Sequence, residues 1–134
     1  AREFVKRKNE RFSSLDMHSF ADRRIGQLST GMKQKTSIVR TIIHDPPVLI
    51  FDEPTSGLDI MTSRAIMDLI RKCKDDGKTV IFSTHRMGEI NQVCDDIAII
   101  FSGKLYCNDP LEKFKNEMTK DNFEDEFIFR VEEK

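Results

Sequence analysis

The fold is decided by one stretch of sequence, which reads Val48-Leu49-Ile50-Phe51-Asp52-Glu53-Pro54-Thr55-Ser56-Gly57-Leu58-Asp59. It begins with an apolar run bounded by turn residues, and such a run predicts a buried strand that pairs in parallel. Two carboxylates, Asp52 and Glu53, follow directly and leave the strand in different directions. Ligands of open α/β sheets bind at the carboxyl ends of strands, so one carboxylate could hold a metal ion while the other faces a water. An acidic turn after a core strand explains this pair equally well.

The composition is typical of one globular domain whose net charge favours no particular class of binding partner. The chain has 134 residues, a formal net charge of −1, 34% charged residues and 38% hydrophobic residues. This balance gives no indication of bulk binding to nucleic acid or to a membrane surface. The three cysteines, Cys73, Cys94 and Cys107, form neither a CxxC pair nor a zinc spacing, so we expect reduced thiols in a cytosolic protein.

A second motif lies ahead of the strand, where the loop Leu28-Ser29-Thr30-Gly31-Met32 opens a predicted helix that ends near His44. Ser29 is a good candidate for the N-cap of this helix. A helix N-terminus with a hydroxyl, a glycine and free backbone N–H groups can bind an anion. Taken alone, a capped helix with nothing bound is the simpler interpretation.

The rest of the chain alternates helices with strands, as in an α/β fold. The pattern predicts a helix at 61–74, a strand at 78–83, a helix at 87–93, a strand at 96–101, its hairpin partner at 105–108 and a helix from 109. Residues Ser83-Thr84-His85 end the second strand. In the final segment, residues 122–134, the alternation from Phe127 to Val131 favours an edge strand or a tail that belongs to another domain.

One apparent phosphate-binding motif fails on inspection. Gly77-Lys78-Thr79 matches the end of the pattern GxxxxGK[ST], but Lys72 stands where the first glycine is needed. The residues after Thr79 predict a strand, whereas the motif must open a helix. The 134 residues therefore hold no Walker A loop.

In this order and at similar spacings, four segments resemble the motifs of ATP-binding cassette (ABC) ATPases: the signature loop at Leu28–Met32, the Walker B strand at Val48–Glu53, the D-loop at Ser56–Asp59 and the switch histidine at His85. The joint match covers residues 27–110, and its specificity comes from the ordered set. The sequence of residues 28–34 and 83–89 is most similar to that of ATP-binding subunits of sodium-extrusion-type ABC exporters. The signature departs from Leu-Ser-Gly-Gly-Gln at Thr30 and at Met32, which cannot make the polar contacts of a glutamine.

For the chemistry of ATP hydrolysis, the resemblance implies three roles at the strand ends. Asp52 would lie near the magnesium ion, through water, because magnesium keeps several waters. Glu53 would be the general base or would position the attacking water. His85 would donate to the γ-phosphate and to that water. A surface or capping histidine is the ordinary interpretation of His85 alone.

The resemblance also implies contacts to a second subunit. Ser29 and the backbone of Gly31 would touch the γ-phosphate of the nucleotide held by a partner in a head-to-tail dimer. Asp59 would lie at the dimer interface, although alone it predicts an N-cap for the helix after it. ATP and magnesium are the implied cofactors, with weak or no binding expected for this chain by itself.

By the same resemblance, the chain is the C-terminal part of an ABC nucleotide-binding domain: a partial P-loop NTPase core with parallel strands flanked by helices, lacking the Walker A strand and loop. Residues 1–45 would be the end of the helical subdomain with the signature loop. Residues 46–110 would be the C-terminal half of the ATPase core, and residues 111–134 a C-terminal helix with an acidic tail. The complete subunit would lie peripherally at the cytoplasmic face of the cell membrane, on a membrane-spanning transporter subunit.

Two other functions compete with a transport ATPase. The chain could belong to a non-transport ABC ATPase of DNA repair or translation. Its sequence has no basic stripe and no long insertion between the signature and Walker B, and this makes nucleic-acid binding the weaker hypothesis. It could also be a self-associating module that needs no ATP. The resemblance implies that residues 48–51 pair with residues 79–82, whereas residues 97–101 have lost the phosphate-loop strand as a neighbour. The sheet should therefore either close up or complete itself with another copy of the chain, and we expect the second, because it can satisfy both unpaired edges.

Overall fold

The computed structural model describes residues 2–132 and forms two compact units, one ending at His85 and the other beginning at Arg86. The first unit contains α1 (Arg2–Ser14), α2 (Thr30–Ile42), β1 (Val48–Phe51), α3 (Ile60–Asp75) and β2 (Thr79–Phe82), with short 3-10 turns at His18–Phe20 and Ile25–Gln27. The second contains α4 (Met87–Val93), β3 (Asp96–Phe101), β4 (Lys104–Pro110), α5 (Leu111–Asn116) and α6 (Phe123–Glu132). No helix within residues 2–132 is long and apolar enough to cross a membrane.

The predicted parallel pairing is confirmed in the first unit. Strand β1 pairs in parallel with β2, in a register that runs from Val48 opposite Thr79 to Phe51 opposite Phe82. Helix α3 connects the two strands, and α2 and α3 both lie against this sheet. A strand, a crossover helix and a neighbouring parallel strand form the α/β unit that the pattern indicated.

The prediction that β1 is fully buried is wrong for one of its two faces. Leu49 and Phe51 are buried, whereas Val48 and Ile50 are 50% and 68% exposed. On the neighbouring strand Ile81 is also exposed. Side chains alternate between faces along a strand, so helices that cover one face of a two-stranded sheet leave every second apolar residue in contact with solvent.

The lysine of the rejected phosphate-loop motif has a structural role. The Nζ of Lys78 lies 2.6 Å from Asp45 Oδ1 and donates to the carbonyl of Pro46 at 3.0 Å. Asp45 also accepts from Arg7 of α1 at 2.9 Å, and the hydrogen bond from Lys78 is the main cause that lowers the pKa of Asp45. Asp45 therefore joins α1 to Lys78, just before β2. The residues from Thr79 form a strand, as predicted, and not the helix that a phosphate loop must open.

The second unit is built on an antiparallel hairpin. Strand β3 pairs with β4 from Asp96 opposite Pro110 to Phe101 opposite Lys104, with an irregularity after Ile99. Among the described strands β3 pairs with β4 alone, so the closed-up sheet that we considered does not form. The core of this unit contains the buried residues Ile90, Ile97, Ile99, Cys107, Leu111 and Phe114.

The predicted edge strand or tail near the C-terminus is wrong, because residues 123–132 form helix α6. Asn122 Oδ1 accepts from the backbone N–H of Asp125 at 2.9 Å, as an N-cap does. Acidic residues fill the first turn, where the helix dipole favours negative charge. The strand alternation was accidental, since the decisive signal was an Asn cap followed by three acids.

The buried carboxylate of Glu126 holds α6 in place. It accepts from the backbone N–H groups of Thr119 at 2.8 Å and Lys120 at 3.1 Å, and from Arg130 Nε at 2.6 Å. The Arg130 guanidinium also lies 4.4 Å from the ring centroid of Phe114. Burial alone would raise the pKa of Glu126, but these donors outweigh it and lower the pKa below its ordinary value.

Replacing Glu126 with Gln should destabilise the second unit by about 2–3 kcal/mol, because a neutral amide cannot satisfy Arg130 and two backbone donors. Urea unfolding followed by the fluorescence of Tyr106, the single tyrosine of the chain, reports on this unit. Glu124→Gln, an exposed change on the same helix, is the control. An equal loss of stability in both variants would contradict the assignment.

The same carboxylate predicts a pH dependence. Its folded pKa lies below the ordinary value of 4.5, so its stabilisation is present above that pH and is lost as the pH falls through the lowered pKa. The Glu126→Gln variant should lack this acid-dependent loss. A wild-type unfolding free energy that follows the same pH course as the variant would contradict the prediction.

Candidate functional site

The candidate site lies where β1 and β2 end. Phe51 and Phe82 form the last pair of the register, and the backbone N–H of Ser83 donates to the carbonyl of Phe51 at 3.0 Å. The residues that follow each strand therefore leave the sheet side by side. This geometry places Asp52 and Glu53, from one strand, against Ser83 and His85, from the other.

Glu53 and His85 meet directly. Their closest side-chain atoms, Glu53 Oε1 and His85 Nδ1, are 3.1 Å apart, a hydrogen bond that becomes an ion pair when the imidazole is protonated. Both side chains are open to solvent, with exposed fractions of 46% for Glu53 and 66% for His85. The two residues proposed for catalysis from sequence are thus brought together, and a water or substrate can reach them.

Asp52 is held by a different contact. Its Oδ1 accepts a hydrogen bond from the hydroxyl of Ser83 at 2.6 Å. Within residues 2–132, no group of three or more His, Cys, Asp or Glu side chains could hold a metal ion by itself. Magnesium is commonly bound by one or two carboxylates together with waters and substrate phosphates, so a single exposed carboxylate fits a magnesium ion that arrives with a nucleotide.

The signature loop caps α2 as predicted. Ser29 is the N-cap residue, and its hydroxyl accepts from the backbone N–H of Met32 at 3.3 Å. Farther along the helix, the amide of Gln34 donates to the carbonyl of Pro54 at 3.0 Å. This bond ties α2 to the turn that follows Glu53.

Asp59 caps α3 in the same way. Its Oδ1 accepts from the backbone N–H of Thr62 at 2.9 Å. That hydrogen bond is the main cause that lowers the pKa of Asp59, so the side chain is a carboxylate at neutral pH. The capping role expected for an aspartate before a helix is confirmed, while its role at a dimer interface stays a prediction.

The N-termini of α2 and α3 open into one cleft of about 300 Å³. It contains Ser29, Gly31 and Asp59, the three residues for which contacts to a second subunit were predicted. A Cβ added at Gly31 would lie 3.8 Å from Thr62 and 3.9 Å from Leu58, so the signature loop and the D-loop are in van der Waals range of each other. Asp52, Glu53 and His85 do not line this cleft.

Sequence reasoning missed Ser83. The residue was recognised as the end of a strand, but its hydroxyl bonds both to the Asp52 carboxylate and to the backbone N–H of Glu53. A usable signal was present, because the first polar residue after a strand lies beside the first polar residue after its parallel neighbour. The pairing of residues 48–51 with residues 79–82 was predicted from the family resemblance and is confirmed, but the contact between the residues that follow the two strands was not predicted.

Comparison with known proteins agrees with these motifs. Residues 3–56 match the family model described as ABC transporter. The ABC transporter ATP-binding protein NatA of Bacillus subtilis (strain 168) is 41% identical over 106 residues, which are 78% of this chain and 43% of that protein. Matching relatives include a Nod factor export ATP-binding protein I of Rhizobium sp. (strain N33), at 40% identity over 66% of this chain and 29% of that protein. A methionine import ATP-binding protein of Ralstonia nicotianae is 44% identical over 68% of this chain and 26% of that protein.

A solved structure supports the fold. A dimeric ATP-binding cassette in a post-hydrolysis state, bound to ADP and phosphate, superposes with a TM-score of 0.71 at 31% identity over 79% of this chain and 46% of that chain. The chain thus spans less than half the length of these relatives.

A pair of glycine variants tests whether Gly31 is needed by the fold of this chain. Gly31→Ala should leave the free energy of unfolding within about 1 kcal/mol of wild type, because the new methyl group meets only ordinary contacts in a helix. Gly57→Ala should cost about 1–2 kcal/mol, because Gly57 has a φ of +69°. Both values come from chemical denaturation followed by circular dichroism. If Gly31→Ala is as costly as Gly57→Ala, the fold itself requires the glycine.

Proposed function

Because this chain belongs to the ATP-binding proteins of ABC transporters, we propose that it carries the water-activating half of an ATP hydrolysis site. The observation that supports this most is the contact between Glu53 and His85, 3.1 Å apart at the carboxyl ends of two paired parallel strands. Phosphoryl transfer to water requires an oriented water and charge stabilisation more than covalent chemistry. A carboxylate and an imidazole that share one solvent-open position suit that task.

In this proposal Glu53 accepts the proton of the attacking water or fixes the orientation of that water. His85, in hydrogen-bond contact with the Glu53 carboxylate, donates to the water and to the γ-phosphate. A general base must lie within hydrogen-bond reach of the proton that it takes. The exposure of both side chains leaves room for the water between the phosphate and the carboxylate.

Asp52 is the proposed ligand of magnesium, directly or through water. The bound ion would neutralise charge on the β- and γ-phosphates of ATP. Asp52 provides an oxygen on the side of the site next to Glu53, and its carboxylate is already oriented by Ser83. The phosphate-binding loop would come from sequence outside these 134 residues.

The cleft at Ser29, Gly31 and Asp59 is the proposed contact with a second ATP-binding subunit. The N-terminus of α2, capped by the Ser29 hydroxyl, and that of α3, capped by the Asp59 carboxylate, open into one cleft. The dipole of α2 favours a negatively charged group at this end of the helix. A related cassette is dimeric in its ADP- and phosphate-bound state, which supports dimerisation for this chain. The cleft would approach the γ-phosphate of the nucleotide on the partner subunit.

We propose that the complete subunit couples hydrolysis to transport through a membrane-spanning subunit at the cytoplasmic face of the membrane. Export of the sodium-extrusion type is favoured by the sequence of residues 28–34 and 83–89, and export in general by the name of the Nod factor relative. Another relative is named as an import protein, so the direction of transport has to be tested by experiment. The names of the three curated relatives supply no support for a role in DNA repair or translation.

Glu53→Gln tests the proposed base. A chimera in which the matched part of this chain replaces the corresponding part of the Bacillus subtilis relative, a match of 106 residues, would supply the phosphate loop from the rest of that protein. In this chimera the variant should lower magnesium-ATP turnover at least about a hundredfold while ATP binding is retained, because only proton transfer is removed. Turnover is measured by phosphate release and binding by equilibrium titration, with Glu10→Gln on α1 as the control.

The 134-residue chain by itself should release no phosphate above a buffer blank, since it does not hold a phosphate loop that would position ATP. Turnover in the chain alone that Glu53→Gln abolishes would contradict this part of the proposal. Near-normal turnover in the Glu53→Gln chimera would contradict the assignment of Glu53 as the base.

We also propose that the 134-residue chain self-associates in isolation. The exposed side chains of Val48, Ile50 and Ile81 lie on the face of the sheet that α2 and α3 do not cover, and within residues 2–132 β1 and β2 each have one edge with no strand partner. Sedimentation velocity should show oligomers that grow with concentration, and Ile50→Lys should reduce them. A monomer at all concentrations would contradict the proposal.

A further inference from the structure

We propose that Ser83 is a positioning residue for ATP hydrolysis, whose hydroxyl fixes both the Asp52 carboxylate and the backbone of Glu53. The inference rests on the proposed function of these two acids. It assigns the task of orienting them to a side chain on the neighbouring strand, two residues before His85. Ser83 thereby joins the two sides of the site.

The hydrogen-bonding direction at Ser83 is determined by its partners. A serine hydroxyl donates one hydrogen and accepts through two lone pairs. The backbone N–H of Glu53 can only donate, and it lies 2.8 Å from the hydroxyl oxygen. The hydroxyl hydrogen is therefore directed to Asp52 Oδ1, at 2.6 Å, which must be an acceptor.

The first consequence concerns Asp52. With Oδ1 engaged by Ser83, the rotation of the carboxylate is restricted, so Asp52 would meet a magnesium ion in a fixed orientation. Hydrogen-bond partners of metal-binding carboxylates orient the ligand, and their removal typically costs 10–100-fold in metal affinity or activity. A loss of the Ser83 hydroxyl should therefore be felt at the metal.

The second consequence concerns Glu53. Its φ is +42°, in the left-handed region that a residue with a Cβ seldom occupies. The hydrogen bond from its backbone N–H to Ser83 stabilises this conformation, which directs the side chain to His85. The backbone N–H of Ser83 is itself bound to the carbonyl of Phe51, so the serine is anchored at the end of the sheet.

Alanine and threonine at position 83 separate the hydroxyl from the rest of the side chain. Ser83→Ala removes the donor to Asp52 and the acceptor for Glu53 and leaves the strand register intact. Ser83→Thr keeps a hydroxyl on a residue suited to a strand end. Ser37→Ala, an exposed serine on α2, is the matched control.

The first measurement uses the complete 134-residue chain and needs no activity. Amide hydrogen exchange at Glu53, followed by NMR, should be at least about tenfold faster in Ser83→Ala than in wild type. Ser83→Thr should restore the slow exchange, and Ser37→Ala should not change it. Equal exchange at Glu53 in wild type and Ser83→Ala would overturn the inference.

The second measurement uses the chimera with the Bacillus subtilis relative. Ser83→Ala should lower kcat by about tenfold or more and raise the magnesium concentration needed for half-maximal turnover, with a KM for ATP that changes by less than about twofold. Ser83→Thr should recover most of kcat. Normal turnover and normal magnesium dependence in Ser83→Ala would overturn the inference.

Glu53→Gln, measured in parallel, separates the two proposals. If Glu53→Gln is inactive while Ser83→Ala has normal kcat and magnesium dependence, the proposed function stands and the positioning role is wrong. If Glu53→Gln turns over normally, the proposed function itself is contradicted.

Discussion

The parallel pairing of β1 with β2 is the constraint on which the site depends. It places Phe51 opposite Phe82, so the two chains leave the sheet at the same edge. Everything that follows requires that register: the Ser83 hydroxyl between Asp52 and Glu53, and His85 beside the Glu53 carboxylate. A slip by one residue would reverse the faces of one strand and separate these groups, so the packing of Leu49 and Phe51 also sets the geometry of the site.

The sequence was sufficient for the parts of the molecule that local rules control. Ser29 and Asp59 were predicted as helix caps, and Val48–Phe51 was predicted as a parallel strand, because caps, turns and apolar runs are short-range signals. The side-chain contacts between neighbouring strands could not be predicted in the same way. Ser83 acquires its role only from the register with β1. Val48 and Ile50 are exposed because the helices cover only the other face of the sheet.

The prediction for the C-terminal segment was wrong for a different reason. Its apolar residues alternate over a short stretch, and such a stretch is compatible with a strand or a helix. The capping by Asn122 and the buried carboxylate of Glu126 decided for the helix. A buried acid that accepts from two backbone N–H groups and an arginine depends on tertiary structure. The sequence shows only a segment rich in acids, which is typical of a solvated tail, so the burial of Glu126 could not be predicted.

The first unit contains two groups of candidate residues at separate places. Asp52, Glu53 and His85 lie at the strand ends, whereas Ser29, Gly31 and Asp59 line a separate cleft. The bond from Gln34 to the Pro54 carbonyl connects the helix of the second group to the turn of the first. A movement of the signature helix caused by a partner subunit would therefore reach the residue after Glu53 directly.

The most direct test of this account is a crystal structure of the chimera with magnesium and a non-hydrolysable ATP analogue. The account predicts the metal on the Asp52 side of the site, with Oδ1 still bound to Ser83, and an ordered water held by Glu53 next to the γ-phosphate. A structure in which Glu53 turns away and another side chain holds the water would contradict it.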